Sequence, residues 1–257
     1  MKINDLMADL QEADGIVILA GAGMGVDAGI PDFRGKSGVW TAEKDTFMKY
    51  SKASSFHDHP LDAWNFYITR FLTYRDSPPH QGYHSLLTLP KDIFVVTSNI
   101  DGHFIASGYD RAKIYEIHGN LEYIQCSKRC GNDTQPMPKF DATLTHEDEM
   151  PRCPKCSAPS RPQVMLFNDP WFVPRTVNTQ SLAYLNWAVN KKRIVGIEIG
   201  AGLAVPSIRM FGEERTYRLI RINPNDYQIG REGDLAIPLG AQDGIDIVMK
   251  LFKGEKE

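Results

Sequence analysis

The chain has 257 residues, of which 42% are hydrophobic and 24% charged, with a formal net charge of −3 at pH 7. These values suit one large soluble domain or a domain that carries an inserted module. The small negative charge argues against nucleic acid or an anionic membrane as a partner. No apolar run reaches membrane-spanning length and residues 1–14 lack the apolar core of a signal peptide, which together predict a cytoplasmic protein.

The predicted elements begin with a short helix over residues 3–14, followed by a series of short apolar runs. Such runs, ending in glycine or polar residues, are typical of buried parallel strands. They cover residues 15–20, 93–97, 114–117, 164–167, 194–199, 218–222 and 235–239. Because helix-compatible stretches lie between several of them, we predict an α/β fold with a Rossmann-like, doubly wound parallel sheet.

Two stretches interrupt this alternation. The first is rich in aromatic residues at helical spacing, as at Trp64, Tyr67 and Phe71, and predicts a small helical module with an apolar core. The second contains all the cysteines and little apolar periodicity, and predicts a metal-stapled insertion. The predicted organisation is a single domain over 1–257. Its Rossmann-like core covers about 1–37, 85–120 and 161–257, its helical module about 38–84 and its zinc module about 121–160.

The cysteines form a Cys-x3-Cys…Cys-x2-Cys pattern made by Cys126, Cys130, Cys153 and Cys156. Four thiolates predict a tetrahedral zinc site with no open position, which makes the metal structural rather than catalytic. Two disulfides are an alternative that a reducing compartment disfavours, and an iron–sulfur cluster is a further one. The zinc is expected to hold the insertion together, because that segment has little core of its own.

A glycine-rich loop follows the first predicted strand directly. It contains Gly21, Ala22 and Gly23, and Ala28-Gly29 is interpreted as the start of a helix. Glycines at a strand-to-helix turn let backbone N–H groups approach a pyrophosphate. A tight turn without a ligand is the alternative. In the next segment, Phe33 could pack against a ring of the ligand and the Arg34 guanidinium could clamp a diphosphate, or Arg34 could pair with a carboxylate in a surface loop.

Polar residues also follow the second and third strands of the predicted sheet. Asn99 and Asp101 come just after the second strand, where an amide and a carboxylate can bind a carboxamide or, alternatively, form a helix-capping turn. His118 follows the third strand. A histidine titrates near neutral pH, which suits a general base, and a purely structural histidine is the alternative.

Taken together, these segments resemble the signature motifs of the sirtuins, the NAD-dependent protein deacylases. The order and spacing agree from about residue 15 to residue 250, which is far more specific than a single glycine pattern. The matching segments are residues 21–23 with 28–34, residues 97–101, the His118-Gly119 pair, residues 161–167, residues 200–206 and the Ile222-Asn223 pair.

The resemblance implies an NAD-dependent protein-lysine deacylase that releases nicotinamide and O-acyl-ADP-ribose from NAD and an acylated protein substrate. It implies that His118 deprotonates a ribose hydroxyl, with Asn99 as a second catalytic residue. Val164, Phe167 and Asn168 are implied to contact the substrate. The residues implied to bind NAD, the co-substrate, are Gly21, Ala22, Gly23, Ile30, Asp32, Phe33, Arg34, Ser98, Asn99, Asp101, Gly200, Gly202, Asn223 and Gln242.

Several positions depart from the sirtuin pattern. Gly25 stands in place of a serine, Ser98 of a glutamine, Ala201-Gly202 of a Thr-Ser pair, and Asn168-Asp169 of a Gly-Glu pair in the loop that clasps the acyl-lysine. Residues 198–202 and 106–110 and the Cys-x3-Cys pair are similar to the macrodomain-linked class M branch.

That branch is associated with protein ADP-ribosyl transfer and typically carries glutamine at the position of His118. Two alternatives therefore stand beside deacylation. One is a protein ADP-ribosyltransferase, for which a macrodomain or lipoyl-carrier protein is a possible partner. The other is a non-catalytic sensor of NAD or ADP-ribose.

Overall fold

The computed structural model describes residues 3–31 and 44–255. Within these residues the strands form one six-stranded and one three-stranded sheet. Their bounds are β1 (Gly15–Ala20), β2 (Ile93–Thr97), β3 (Ile114–Glu116), β4 (Gly119–Cys126), β5 (Thr134–Pro136), β6 (Ser160–Val164), β7 (Ile194–Ile199), β8 (Arg218–Ile222) and β9 (Leu235–Ile237).

The helices of the described residues lie on both faces of the larger sheet and over the smaller one. Their bounds are α1 (Ile3–Glu12), α2 (Lys44–Tyr50), α3 (Ser55–Asp58), α4 (Pro60–Asp76), α5 (Gln81–Leu87), α6 (His103–Ala106), α7 (Arg175–Ala188), α8 (Ser207–Arg215) and α9 (Ala241–Lys253). Short 3₁₀ helices cover Ala22–Ala28, Arg111–Lys113 and Glu147–Glu149. None of these helices combines the length and the apolar character that a bilayer crossing requires.

The larger sheet has the order β3-β2-β1-β7-β8-β9, and each pair of neighbours is parallel. Alternate residues of β1 face opposite layers. Ile16 and Ile18 join a core cluster with α1, α5 and α9, while Val17 and Leu19 join one with α7 and α8. Covering both faces requires apolar residues at every position of a central strand, which explains the continuous apolar run. The predicted doubly wound parallel sheet is thus confirmed.

The strand order reverses between β1 and β7. β2 and β3 lie in succession on one side of β1, and β8 and β9 lie in succession on the opposite side, beyond β7. The two strands are direct neighbours over Gly15–Ala20 and Ile194–Ile199. Ligands of doubly wound sheets bind outside the carboxyl ends of the strands at such a switch point. The loops that follow Ala20 and Ile199 therefore border the expected crevice.

The smaller sheet was not predicted. It has the order β5-β4-β6, with antiparallel pairs, and its strands run through the stretch interpreted as an irregular insertion. The predicted strand over 164–167 is wrong, because Ser160–Val164 forms the strand and it belongs to this antiparallel sheet. The five residues of β6 are buried although several are polar, since side chains such as Arg161 and Gln163 have hydrogen-bond partners. Hydrophobic periodicity cannot reveal such a strand.

The aromatic stretch forms part of a second core between α4 and the smaller sheet. Trp64, Tyr67 and Ile68 are buried there together with Leu121 and Ile124 of β4. The indole N–H of Trp64 also donates to the backbone oxygen of Ser160 at 2.9 Å, which joins α4 to β6. The predicted packing role of these aromatic residues is confirmed. The exact boundaries of the helical and zinc modules stay a prediction.

Candidate active site

The loops after β1 and β7 touch each other through glycines. The Gly23 N–H donates to the Gly200 carbonyl at 3.0 Å. A Cβ on Gly23 would lie 2.7 Å from the Gly200 Cα, and a Cβ on Gly21 would lie 2.6 Å from the Gly200 oxygen. Gly200 itself has φ 63, which favours glycine. These glycines are therefore required for backbone-to-backbone packing across the crevice, whatever ligand the loops hold.

The segment after the glycine loop differs from its prediction. The 3₁₀ helix Ala22–Ala28 already starts inside the loop and ends at Gly29, whose φ is 83, so Ala28-Gly29 closes a helix rather than starting one. Ile30 is buried, and its N–H donates to the Gly25 oxygen at 3.1 Å. A Cβ at Gly25 would lie 3.3 Å from that of Ile30, so a larger residue would require Ile30 to shift by a few tenths of an ångström. Asp32, Phe33 and Arg34 lie outside the described residues.

Residues 97–101 connect β2 to the glycine loop. Thr97 Oγ1 and the Ser98 N–H both donate to the Ala20 oxygen, at 3.1 and 3.0 Å. The Asn99 side-chain amide donates to the Gly21 oxygen at 3.0 Å, so its orientation is set by the glycine loop. Asp101 accepts a hydrogen bond from the His103 N–H at 2.9 Å, and burial raises the pKa of this carboxyl. Asn99 and Asp101 therefore belong to a turn, and the candidate carboxamide site consists of the same residues.

His118 follows β3 and lies beside the Ser98 backbone. Burial lowers the pKa of its imidazole, and a hydrogen bond with the Ser98 backbone opposes that shift. Its carbonyl accepts from the Met165 N–H at 2.8 Å. Gly119 then turns the chain with φ 78, and a Cβ there would lie 2.1 Å from the Gln163 oxygen. The glycine is required because β4 starts directly against β6 at this point.

A buried polar network braces the His118 turn, and sequence reasoning missed it. The Glu116 carboxylate accepts hydrogen bonds from the side-chain amides of Asn120 and, at 3.1 Å, Gln180 of α7. Gln180 Oε1 in turn accepts from the Glu116 backbone N–H at 3.0 Å. Burial raises the pKa of Glu116. Glu116 and Asn120 thus join the two sides of the turn, and no local sequence pattern marks the pair.

The candidate substrate segment lies between β6 and the helical module. Val164 is buried, whereas Phe167 is 46% exposed and its N–H donates to the Ser51 oxygen at 2.9 Å. Asn168 has φ 53, a conformation that glycine adopts freely and that asparagine tolerates better than most residues. The neighbouring Asp169 forms an ion pair with Arg161. The Asn-Asp pair therefore combines a left-handed backbone with a buried acid at these positions.

Two predicted cofactor residues hold the surrounding loops. Asn223 is buried; its amide donates to the Ala201 oxygen at 3.1 Å and its oxygen accepts from the Asp226 N–H at 2.9 Å. The Gln242 side-chain oxygen accepts from the Gly82 N–H at 2.7 Å, which connects α9 to α5. A Cβ on Gly202 would make only an ordinary contact, 3.7 Å from Asp226 Oδ2. Asn223 and Gln242 therefore orient loops through bonds within the protein.

Glu198 and Arg221 form a buried ion pair beneath the crevice, in β7 and β8. Arg221 Nε donates to Glu198 Oε1 at 2.6 Å, and both side chains are almost fully buried. Arg209 of α8 adds hydrogen bonds to the carbonyls of Ala201, at 3.4 Å, and Asp226, at 2.5 Å. The unusual acid at position 198 therefore supports the loops 201–206 and 223–228 from below.

The four cysteines converge as predicted. Their sulfur atoms all lie within 4.8 Å of one another, with Cys126 to Cys156 at 3.6 Å and Cys130 to Cys153 at 3.5 Å. A tetrahedral Zn²⁺ with Zn–S bonds of about 2.3 Å separates its thiolates by about 3.8 Å. No pair of these four sulfur atoms is joined as a disulfide. The donor set and its spacing fit a structural zinc site, which the ends of β4 and the turn before β6 bring together.

The fold and the crevice together define a Rossmann-like nucleotide-binding protein with a zinc-binding module. A model described as the Sir2 family matches residues 21–207, and the chain therefore belongs to that family. It is similar to an NAD-dependent protein deacetylase of Caldivirga maquilingensis, with 30% identity over 93% of this chain and 89% of the relative. It is also similar to an NAD-dependent protein deacylase of Aquifex aeolicus, with 29% identity over 90% and 92% of the two chains.

Solved structures show the same fold. A mutant Sir2 homologue in complex with ADP-ribose superimposes with a TM-score of 0.77 at 21% identity, covering 97% of this chain and 96% of that one. A Sir2 structure with a p53 peptide and NAD⁺ gives a TM-score of 0.70 at 20% identity, with 97% and 98% covered. At this level of identity the match establishes the architecture.

Proposed function

We propose that this protein is an NAD-dependent protein-lysine deacylase that converts NAD and an acylated lysine into nicotinamide, O-acyl-ADP-ribose and free lysine. One observation carries the proposal: His118 lies against the Ser98 backbone, next to the turn that holds Asn99 and Asp101. A candidate base and a candidate carboxamide site thus border the crevice at the switch point of the sheet. The names of the relatives support the same activity.

The chain offers residues that fit NAD. The loops containing Gly21, Gly23 and Gly200 would lie along its diphosphate, and Asp101 with Asn99 would hold the carboxamide of its nicotinamide. NAD supplies the ribose carbon whose bond to nicotinamide breaks. Burial keeps His118 neutral near pH 7, so its imidazole can take a proton from a ribose hydroxyl. The Glu116–Asn120 pair holds the turn on which this imidazole stands.

The substrate segment supports deacylation as well. The exposed Phe167 and the backbone around Asn168 border the edge where β6 ends, close to His118 through the Met165 hydrogen bond. An extended acyl-lysine peptide could add to this edge by backbone hydrogen bonds. The Asn-Asp pair that stands in place of Gly-Glu combines a left-handed residue with a buried acid. We therefore propose an acylated protein as the partner.

The segments that are similar to the class M branch are weaker support for ADP-ribosyl transfer, because the acid in one of them has a structural role. Glu198, which belongs to the similar segment, forms a buried ion pair with Arg221, and this is a structural reason for its presence. A macrodomain or lipoyl-carrier partner, a cytoplasmic location and the absence of nucleic-acid binding stay predictions from the sequence.

One assay separates the three functions. The protein is incubated with NAD and a panel of acylated peptides, and mass spectrometry follows the peptide, O-acyl-ADP-ribose and any ADP-ribose added to protein. We expect deacylated peptide with O-acyl-ADP-ribose for the wild type and the exposed control His84→Ala, and a large loss for His118→Ala. ADP-ribosylated protein without deacylation would overturn the proposal in favour of transfer, and NAD binding without either product would indicate a sensor.

A further inference from the structure

A cluster of charged side chains lies inside the larger sheet, beneath the loops that border the crevice. β7 contains one charged residue, Glu198, which is fully buried and pairs in register with Arg221 of β8. Two nitrogens of Arg221 donate to the carboxylate, at 2.6 and 3.0 Å. Arg209 of α8 is also buried, and its Nη1 lies 4.0 Å from the same carboxylate. Two buried guanidinium groups therefore share one buried acid.

The stability of the sheet gives only a weak reason for this cluster. Burying charged groups costs free energy that their mutual attraction often does no more than offset, and an apolar set of similar volume is often as stable. Ile194, on the same side of β7, packs in an apolar cluster without any charge. The contacts that the two arginines make elsewhere therefore indicate what the cluster does.

The arginines hold the backbone of the loops that follow β7 and β8. Arg209 Nη1 donates to the carbonyls of Ala201, at 3.4 Å, and Asp226, at 2.5 Å. Its Nη2 donates to the carbonyl of Gln228 at 3.3 Å. Arg221 Nη1 donates to the same Gln228 carbonyl. The side chain of Arg209 thus joins one loop to the other through three carbonyls.

These bonds have an electrostatic consequence for the crevice. A carbonyl that bonds to a buried guanidinium directs its partial negative charge into the protein, where it does not face a ligand, whereas backbone N–H groups that face the ligand attract anions. The other acids near Arg209 are Glu213 and Asp226, which are partly exposed, so water screens their charges. The buried charge beneath the two loops is therefore positive, which favours an anionic group above them.

We propose that Arg209 is a positioning residue of the NAD site, which fixes the loops after β7 and β8 and thereby sets the affinity for the anionic diphosphate without touching it. The proposal rests on the proposed NAD-dependent function, because that function brings a diphosphate to the loop that contains Gly200. Glu198 supplies the counter-charge that allows Arg209 to be buried beneath this loop. Neither a motif nor its spacing indicates the role of Arg209 in the sequence.

The test compares two arginines that both donate to backbone carbonyls. Arg209→Met removes the donors and the charge and keeps an unbranched side chain. Arg231→Met is the matched control, because Arg231 donates to the carbonyls of Glu213, at 3.1 Å, and Thr216, at 2.8 Å. These two carbonyls precede β8 and therefore lie at the edge of the sheet opposite the crevice. Both variants are expected to lose stability.

Ligand affinity separates positioning from a purely structural role. ADP-ribose is titrated by calorimetry into the full-length protein, and the rate of deacylation is measured against the concentration of NAD. We expect Arg209→Met to weaken ADP-ribose by about tenfold and to raise the KM for NAD by a similar factor, with kcat changed by less than about twofold. Arg231→Met should change the Kd and the KM by less than about twofold, because a smaller folded fraction lowers only the apparent kcat.

A second variant keeps the test valid if Arg209→Met does not fold. Arg209→Lys retains the positive charge and loses the planar fork that spans several carbonyls, and we expect it to weaken ADP-ribose by about threefold or more. An unchanged Kd in the folded Arg209 variants, or equal weakening in Arg231→Met, would overturn the proposal.

Failure of the proposed function gives a different result. If the wild type binds ADP-ribose but does not deacylate, deacylation is wrong, and the ADP-ribose titration of the Arg209 variants still decides the positioning role. If the wild type binds neither ADP-ribose nor NAD, both proposals are overturned.

Discussion

Arg161 and Asp169 form a buried ion pair at the edge of the smaller sheet, in which one guanidinium nitrogen contacts both carboxylate oxygens. Arg161 Nη2 lies 2.8 Å from Asp169 Oδ1 and 2.7 Å from Oδ2, and the side chains are 1% and 2% exposed. Asp169 also accepts the backbone N–H groups of Leu166 and Trp171, each at 3.2 Å. The pair thereby holds the turn that presents the candidate substrate segment.

Removing one partner of this pair should destabilise the protein strongly. Asp169→Asn would leave the buried Arg161 guanidinium without a counter-charge, at a cost of about 3–5 kcal/mol in the free energy of unfolding. Asp133→Asn, which breaks an exposed pair with Lys155, should cost less than about 1 kcal/mol. Denaturant unfolding of both variants measures the difference. Similar values for the two would show that the buried pair does not hold this turn.

The contact between the glycine loops predicts a steric effect. Gly23→Ala would place a methyl group 2.7 Å from the Gly200 Cα, which forces the loops apart. We expect a loss of stability of about 1–3 kcal/mol and a large loss of NAD affinity, measured by denaturation and calorimetry. Gly230→Ala is the control, since its Cβ would meet nothing within 4 Å. Unaltered NAD binding in Gly23→Ala would contradict the proposed diphosphate site.

The lowered pKa of His118 predicts the acid side of the pH profile. Burial favours the neutral imidazole, so the rate of deacylation should fall to half its plateau at a pH below the ordinary value of 6.5. The folded protein also binds fewer protons than the unfolded chain between the lowered pKa and 6.5. The neutral, buried imidazole of His118 therefore contributes to the free energy of unfolding above pH 6.5, and this contribution is lost as the pH falls through the folded pKa. NMR titration, with His118→Ala for assignment, gives the value directly, and a midpoint above 6.5 would contradict the prediction.

The cysteine cluster predicts a metal requirement. Cys153→Ser should lose zinc and lower the melting temperature, because the turn before β6 would lose one of its four thiolates. Lys155→Ala changes an exposed residue of the same turn and should keep the metal. Elemental analysis and thermal unfolding check both. A wild-type protein that is fully folded without metal would contradict the zinc assignment.

The sequence alone determined the features that depend on local patterns. Continuous apolar runs predicted the six parallel strands, since a strand covered on both faces has no polar side, although the run over 164–167 was misassigned. The cysteine spacing predicted the metal cluster, and the motif order led to the family. Asp32, Phe33 and Arg34 stay predictions, as do the roles of the individual site residues.

Only the tertiary structure decided which polar residues are buried together. β6 is buried yet polar because Arg161 finds Asp169, and Glu198 in the central β7 is tolerated because Arg221 lies beside it. Tyr83 and His103 are twenty residues apart and belong to different helices, yet their buried rings are neighbours with centroids 5.6 Å apart. Such pairs leave no periodic pattern, because the free energy of burying a polar group depends on a partner that folding alone brings into contact.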